Sequence, residues 1–199
     1  MLFDANGRQL HRQEAINIVD PNLEYVTNLS YTNRPVCLVR ENHSGDRDHC
    51  ILKASDRSVW AYAEHIENEA RALEFLRGVR GIPTVKRVYN NPEVVGLLKE
   101  FLPGEDLYRK QGLSVDMLTQ LEDTVEHLHA LGVANFEIRP NNVVASAENN
   151  YVGLADFGSC VYRNDLSSQG FDFAQRIDRA DLQKLTMNVR REPLQRYCT

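Results

Sequence analysis

Asn142 and Asp156 are oxygen donors of the hard type that a small divalent cation prefers, and they stand fourteen residues apart. Five residues before Asn142 is Glu137, a carboxylate able to take up a proton. Far upstream, the apolar run Cys50-Ile-Leu ends on Lys53, and sixteen residues later comes Glu69, in Glu69-Ala-Arg-Ala-Leu-Glu-Phe-Leu. A cation and an anion so spaced can pair if a strand and a helix bring them together. The plainer alternatives are a surface ion pair for Lys53 and Glu69 and a hairpin-exit turn residue for Asp156. The order of the elements that carry these residues decides between the readings.

Those elements are legible. Residues 1 to about 20 are polar around a short apolar Ala15-Ile-Asn-Ile-Val19. Leu23–Leu29, Pro35–Arg40 and His49–Lys53 then read as three antiparallel strands, separated by the polar segments Tyr31–Arg34 and Glu41–Asp48. From about Val59 to Gly78, Trp60, Ala63, Ile66, Ala70, Leu73 and Leu76 recur at helical steps, and Gly78, Gly81 and Pro83 end the pattern. Thr84–Tyr89 and Val94–Phe101 are two further strands about an Asn90-Asn-Pro turn. Beyond Leu102-Pro-Gly104 the pattern predicts a helix over Val115–Leu131. Ser114 is its N-cap, Leu118, Leu121, Val125, Leu128 and Leu131 its buried stripe, and Gly132 its C-terminal left-handed residue. Val143–Ala145 and Tyr151–Ala155 flank a turn at Glu148-Asn-Asn and form a hairpin, and a last helix is expected around Ile177–Val189.

Composition bounds the answer loosely. The chain has 199 residues, 42% apolar and 26% charged, which is ordinary globular usage in one folding unit. A net charge of −5 argues against nucleic acid or an anionic membrane as the main partner. The N-terminal Met-Leu-Phe-Asp-Ala-Asn-Gly-Arg carries no leader-like apolar run, and no segment is apolar enough to span a bilayer. Cys37, Cys50, Cys160 and Cys198 are scattered and read as free thiols of a reducing, cytoplasmic compartment.

Taken in order, the pieces resemble the protein-kinase signature set. Cys50-Ile-Leu-Lys53 is similar to the kinase Val-Ala-Ile-Lys, and Glu69 follows on the next helix. Leu98-Lys-Glu-Phe-Leu-Pro-Gly-Glu105 looks like a hinge, His127 to Asn142 like the catalytic loop, and Asp156-Phe-Gly like the metal-binding motif. The resemblance covers about residues 23–190. It implies an α+β, two-lobed protein-kinase-like fold in a single domain, with a small antiparallel-sheet N-lobe of about 1–102 and a truncated, mainly helical C-lobe of about 103–199. It also implies ATP and Mg²⁺ as cofactors. Lys53 would neutralise phosphate oxygens, oriented by Glu69; the backbone at Glu100 and Leu102 would face the adenine; Asn142 and Asp156 would hold the metal. Glu137 would act as base, with Arg139 as a cation near the transferred phosphate.

The chain departs from the pattern in four places. Glu137 replaces the catalytic aspartate and reaches on the order of 1 Å further, a displacement that can cost about a hundredfold in rate. Asn135-Phe136 replace the preceding His-Arg, so Phe136 argues against switching by a phosphorylated activation loop. The turn Asn28-Leu-Ser-Tyr-Thr-Asn-Arg34, where a glycine-rich flap should lie, has no glycine, leaving Ser30, Thr32 and Asn33 as donors. Only 41 residues follow Gly158, without Ala-Pro-Glu. In that short part Asp181, or second Asp178, resembles the helix aspartate that bonds back to the catalytic loop. The shortness is similar to small bacterial lipopolysaccharide-core, RIO-like and effector kinases, the last of these delivered to another cell. The expected activity is phosphotransfer to a protein, sugar or lipid hydroxyl by a monomer. A pseudokinase acting as nucleotide-binding or scaffold module is the second reading, and nucleotidyl transfer the third.

Overall fold

The structure, a computed structural model, describes residues 12–30, 36–41, 49–107 and 113–191, with side chains to residue 187. The expectations at residues 1–11, at Thr32, Asn33 and Arg34, in the 42–48 turn and at Cys198 lie outside the described residues. The fold is α+β, with a five-stranded antiparallel sheet and four α-helices among the described residues. Its contacts divide it into two compact units, one of residues up to Glu74 with Thr84–Phe101, the other of Phe75–Pro83 with Leu102 onward.

In the first unit, helix α1 (Arg12–Val19) precedes strands β1 (Leu23–Asn28), β2 (Val36–Glu41) and β3 (His49–Asp56). Helix α2 (Trp60–Phe75) follows, then β4 (Val85–Asn90) and β5 (Val94–Glu100). The sheet order is β1-β2-β3-β5-β4, so β5 inserts beside β3 and becomes an interior strand. Its continuous apolar run Val94–Leu98 is what an interior strand needs, and β4 at the edge is mostly exposed. The alternation of side chains gives the sheet two faces. Cys37, Val39, Cys50, Leu52 and Leu98 pack with Ile16 of α1 on one face. The register Ile51↔Lys99 and Lys53↔Leu97 puts these four residues on the other. Gly96 is small for a reason: an added Cβ would sit 3.2 Å from Tyr89 and 3.3 Å from Val19.

Asp20, just after α1, ties that helix to β4. It accepts bonds from Arg87 and, at 2.8 Å, from the Tyr89 hydroxyl. Burial raises the Asp20 carboxyl's pKa, but the bonds from Asn22, Tyr89 and Arg87 outweigh it and hold it below the usual range. Helix α2 buries Ala63, Ile66, Ala70 and Leu73, as the periodicity predicts. Trp60 leaves the stripe: at the first helical position it is 71% exposed.

In the second unit, β6 (Glu105–Asp106), β8 (Val143–Ser146) and β9 (Tyr151–Leu154) form a three-stranded sheet. Strands β7 (Val133–Ala134) and β10 (Val161–Tyr162) form a short ribbon. Helix α3 (Val115–Leu131) starts where Ser114 Oγ accepts the Met117 amide at 3.1 Å and ends at Gly132, φ 87°. Leu131, expected in the stripe, is 40% exposed, because the helix ends there and its register turns outward. Helix α4 spans Ser168–Arg191, three turns longer than expected. Gly170 and the polar residues around it mask those turns in the sequence. Tertiary packing supplies what propensity does not, since Phe171 and Ala174 bury against Ala134. No helix among the described residues is long and apolar enough to cross a membrane.

Candidate functional site

The singled-out residues fall into two groups. Lys53, Glu69 and Glu100 belong to the first unit; Leu102, Glu137, Arg139, Asn142 and Asp156 belong to the second.

In the first unit β3 delivers Lys53 and α2 delivers Glu69, and the two meet as an ion pair of 2.6 Å. Neither is a surface residue: Lys53 is 4% exposed and Glu69 not at all. The spacing along α2 explains this, because Glu69 lies on the same stripe as Ile66, Ala70 and Leu73. A third charged residue, which the sequence reading missed, completes the group. Lys99 of β5 is also buried and pairs with the other oxygen of Glu69. Its signal was present, a lysine inside the apolar run Val94-Val-Gly-Leu-Leu-Lys99, but a strand lysine at that point passes for a solvated end residue. Glu100, next along, is fastened to Thr84: its amide donates to the Thr84 carbonyl at 2.9 Å, and its carboxylate accepts the Thr84 amide at 3.1 Å.

In the second unit the 135–142 loop is built by hydrogen bonds between its own members. Asn135 Oδ1 accepts the Glu137 amide at 2.9 Å, the Glu137 carbonyl accepts Asn142 Nδ2 at 3.1 Å, and the Arg139 carbonyl accepts the Asn142 amide at 2.9 Å. Glu137 is half-buried and Arg139 exposed. Two bonds fix the Asp156 segment to this loop. Asn135 Nδ2 donates to the Asp156 carbonyl at 2.8 Å, and the Ala155 amide donates to the Asn142 carbonyl at 2.8 Å. Asp156 Oδ1 also accepts the Gly158 amide at 3.1 Å. Phe157 behind it is fully buried, as is the Ile138 side chain. Leu102 is buried in the same unit, its Cδ1 3.1 Å from where a Cβ on Gly153 would stand.

Asp178 organises the loop from α4. Its Oδ2 accepts the Asn135 amide at 2.8 Å and lies 2.9 Å from His129 Nε2, while Oδ1 accepts the Phe136 amide at 2.7 Å. Phe136 takes a left-handed backbone, φ 65°, which a bulky residue adopts only when its surroundings hold it there. The sequence expectation favoured Asp181, and the structure corrects it to the second choice. Asp181 instead accepts Lys184 at 2.7 Å on the helix's outer side. The helical stripe Phe171, Ala174, Asp178, Leu182 and Leu185 is buried, and Asp178 is its one charged member. Asn135, taken in the sequence reading only as a departure, is fully buried and braces both loops.

Asn142 and Asp156 both carry hard-oxygen donors of the chemical type that Mg²⁺ takes, and a backbone bond holds their segments side by side. The Asn142 Oδ1 accepts Asn141 Nδ2 at 3.1 Å, which presents its oxygen end toward a polar neighbour rather than into the core.

No family model matches the chain. Protein kinase gsk3 of Schizosaccharomyces pombe is 35% identical over 156 residues, 67% of this chain and 40% of that protein. Death-associated protein kinase 2 of Homo sapiens is 32% identical over 119 residues, 53% of this chain and 31% of its own. Calcium-dependent protein kinase 4 of Solanum tuberosum is 26% identical over 109 residues, 50% of this chain and 20% of its own. The matches thus span less than half the length of these relatives. Together they support a protein-kinase-like chain, and the five-stranded antiparallel sheet with four helices is compatible with that class.

Proposed function

We propose that the chain is an ATP- and Mg²⁺-dependent phosphotransferase whose acceptor is a protein serine or threonine hydroxyl. The observation that carries this reading is the buried Lys53–Glu69 pair. Removing two charges from water costs several kcal/mol each, so a pair kept at that depth suits a residue with a charged ligand to meet. In this reading the chain is one kinase-like domain, its N-lobe about 1–102 and its C-lobe about 103–199. Lys53 pairs with phosphate oxygens, and the backbone at Glu100 and Leu102 faces the adenine. Asn142 and Asp156 hold Mg²⁺, which when bound neutralises charge on the phosphates. Glu137 orients the acceptor hydroxyl and takes its proton, and Arg139 offers a cation to the transferred group. Such a transition state is loose and asks mostly for positioning, which is why a glutamate can serve where an aspartate is usual. The protein acceptor follows the three relatives described above, each named as a protein kinase.

Nucleotide binding is the first test. A ligand that binds only the folded state stabilises it by mass action, so Mg-ATP at about 100 times its Kd should raise Tm by roughly 5–10 °C. Asp156→Ala should remove the Mg²⁺-dependent part of that shift and leave the protein folded. No shift at millimolar Mg-ATP defeats the proposal.

A further inference from the structure

Glu69 is shared between two lysines. Its Oε2 takes the Lys53 ammonium at 2.6 Å, and its Oε1 takes the ammonium of Lys99. All three groups are buried, and they come from three different elements, β3, α2 and β5. The pairing Lys53↔Leu97 and Ile51↔Lys99 makes the two lysines diagonal neighbours on one face of the sheet, with the carboxylate reaching both. Setting a second ammonium beside the first adds like-charge repulsion to the cost of desolvation. A surface-type ion pair would not need this arrangement. Lys99 is also anchored from the next residue, because Glu100 is bonded to Thr84 through both its amide and its carboxylate.

We propose that Lys99 is a positioning residue for the phosphotransfer site, an inference that rests on the nucleotide reading of Lys53. By holding Oε1 it fixes the rotation of the Glu69 carboxylate. By taking a share of that carboxylate's negative charge it leaves Lys53 fixed in direction but less fully neutralised. Lys53 then has more positive charge to offer the phosphates of a nucleotide. Lys99 acts through Glu69, so its loss is felt by the phosphates and not by the base.

The experiment measures dissociation constants of Mg-ATP and of adenosine by calorimetry for the wild type, Lys99→Met, Lys99→Arg, Glu69→Gln and the Lys99→Met/Glu69→Gln double variant. Lys99→Met should weaken Mg-ATP by about tenfold, which is about 1.4 kcal/mol, and leave adenosine within about twofold. Lys99→Arg should keep most of the affinity. In the Glu69→Gln background Lys99→Met should add little, because residues that act through one another are not additive. Should Lys99→Met not fold, Lys99→Gln, which keeps a donor to Oε1 without the charge, carries the same expectation. Equal losses for Mg-ATP and adenosine, or additive losses in the double variant, would show a merely structural lysine and overturn the inference. Wild-type binding of Mg-ATP that Lys99→Met leaves unchanged overturns the role of Lys99 alone. A wild type that binds no Mg-ATP overturns the nucleotide reading and this role with it.

Discussion

Asp178→Ala should lower the free energy of unfolding by about 4 kcal/mol, because it strands three donors, two of them in buried bonds, and releases a strained turn. The donors are the Asn135 and Phe136 amides and His129 Nε2, all within 2.9 Å of the carboxylate. A hydrogen bond to a charged group contributes roughly 1.5–3 kcal/mol, and the three do not add fully because they share one acceptor. Phe136 at φ 65° has no reason to stay left-handed once its amide is released. Urea denaturation of the two proteins reads the difference directly. Asp181→Ala is the control, since its partner Lys184 is a surface residue one turn along, and it should stay within about 0.5 kcal/mol. A loss below about 1 kcal/mol for Asp178→Ala would mean that the loop's path is set by the chain on either side of it.

Glu137→Gln should cut the rate of phosphotransfer by roughly 10²-fold or more while leaving nucleotide affinity nearly intact. The change keeps the side chain's size and removes only the charge to which the proposed role of orienting and deprotonating an acceptor is assigned. Glu137→Asp is the more informative change. The loop around Glu137 is shaped by Asn135, whose side chain bonds the Glu137 amide, and by the left-handed Phe136. A backbone so fixed suits the longer side chain, and the shorter carboxylate should fall on the order of 1 Å short, with turnover dropping rather than rising. A rise on restoring aspartate would identify Glu137 as damage to an aspartate-type site. No change with either variant would remove Glu137 from the chemistry.

The strands of four or more residues and helices α2 and α3 were legible because their apolar residues repeat at periods that only one kind of element satisfies. The Lys53–Glu69 pair was legible from the apolar run that ends on one and the helix stripe that contains the other. Strands β6, β7 and β10 were not, since two residues carry no period. Lys99 was missed because a buried lysine and a solvated one look alike until the carboxylate that receives it is placed. Asp178 lost to Asp181 for a similar reason: the stripe of α4 begins in a stretch whose glycine and polar residues hid the helix, so its buried face could not be projected that far. Asn135 shows a further limit. Its role is a set of hydrogen bonds to the backbone at Glu137 and at Asp156, twenty-one residues beyond Asn135 itself, and no pattern of hydrophobicity reports such a bond.

The proposed activity is tested most directly by incubating the protein with Mg²⁺ and ATP labelled at the γ-phosphate, with a protein acceptor rich in serine and threonine, and following the label. The account predicts acid-stable label on acceptor hydroxyls, lost in Asp156→Ala and strongly reduced in Glu137→Gln. Mg-ATP binding without any label transfer, unchanged across a range of acceptors, would contradict it and leave the chain a nucleotide-binding module.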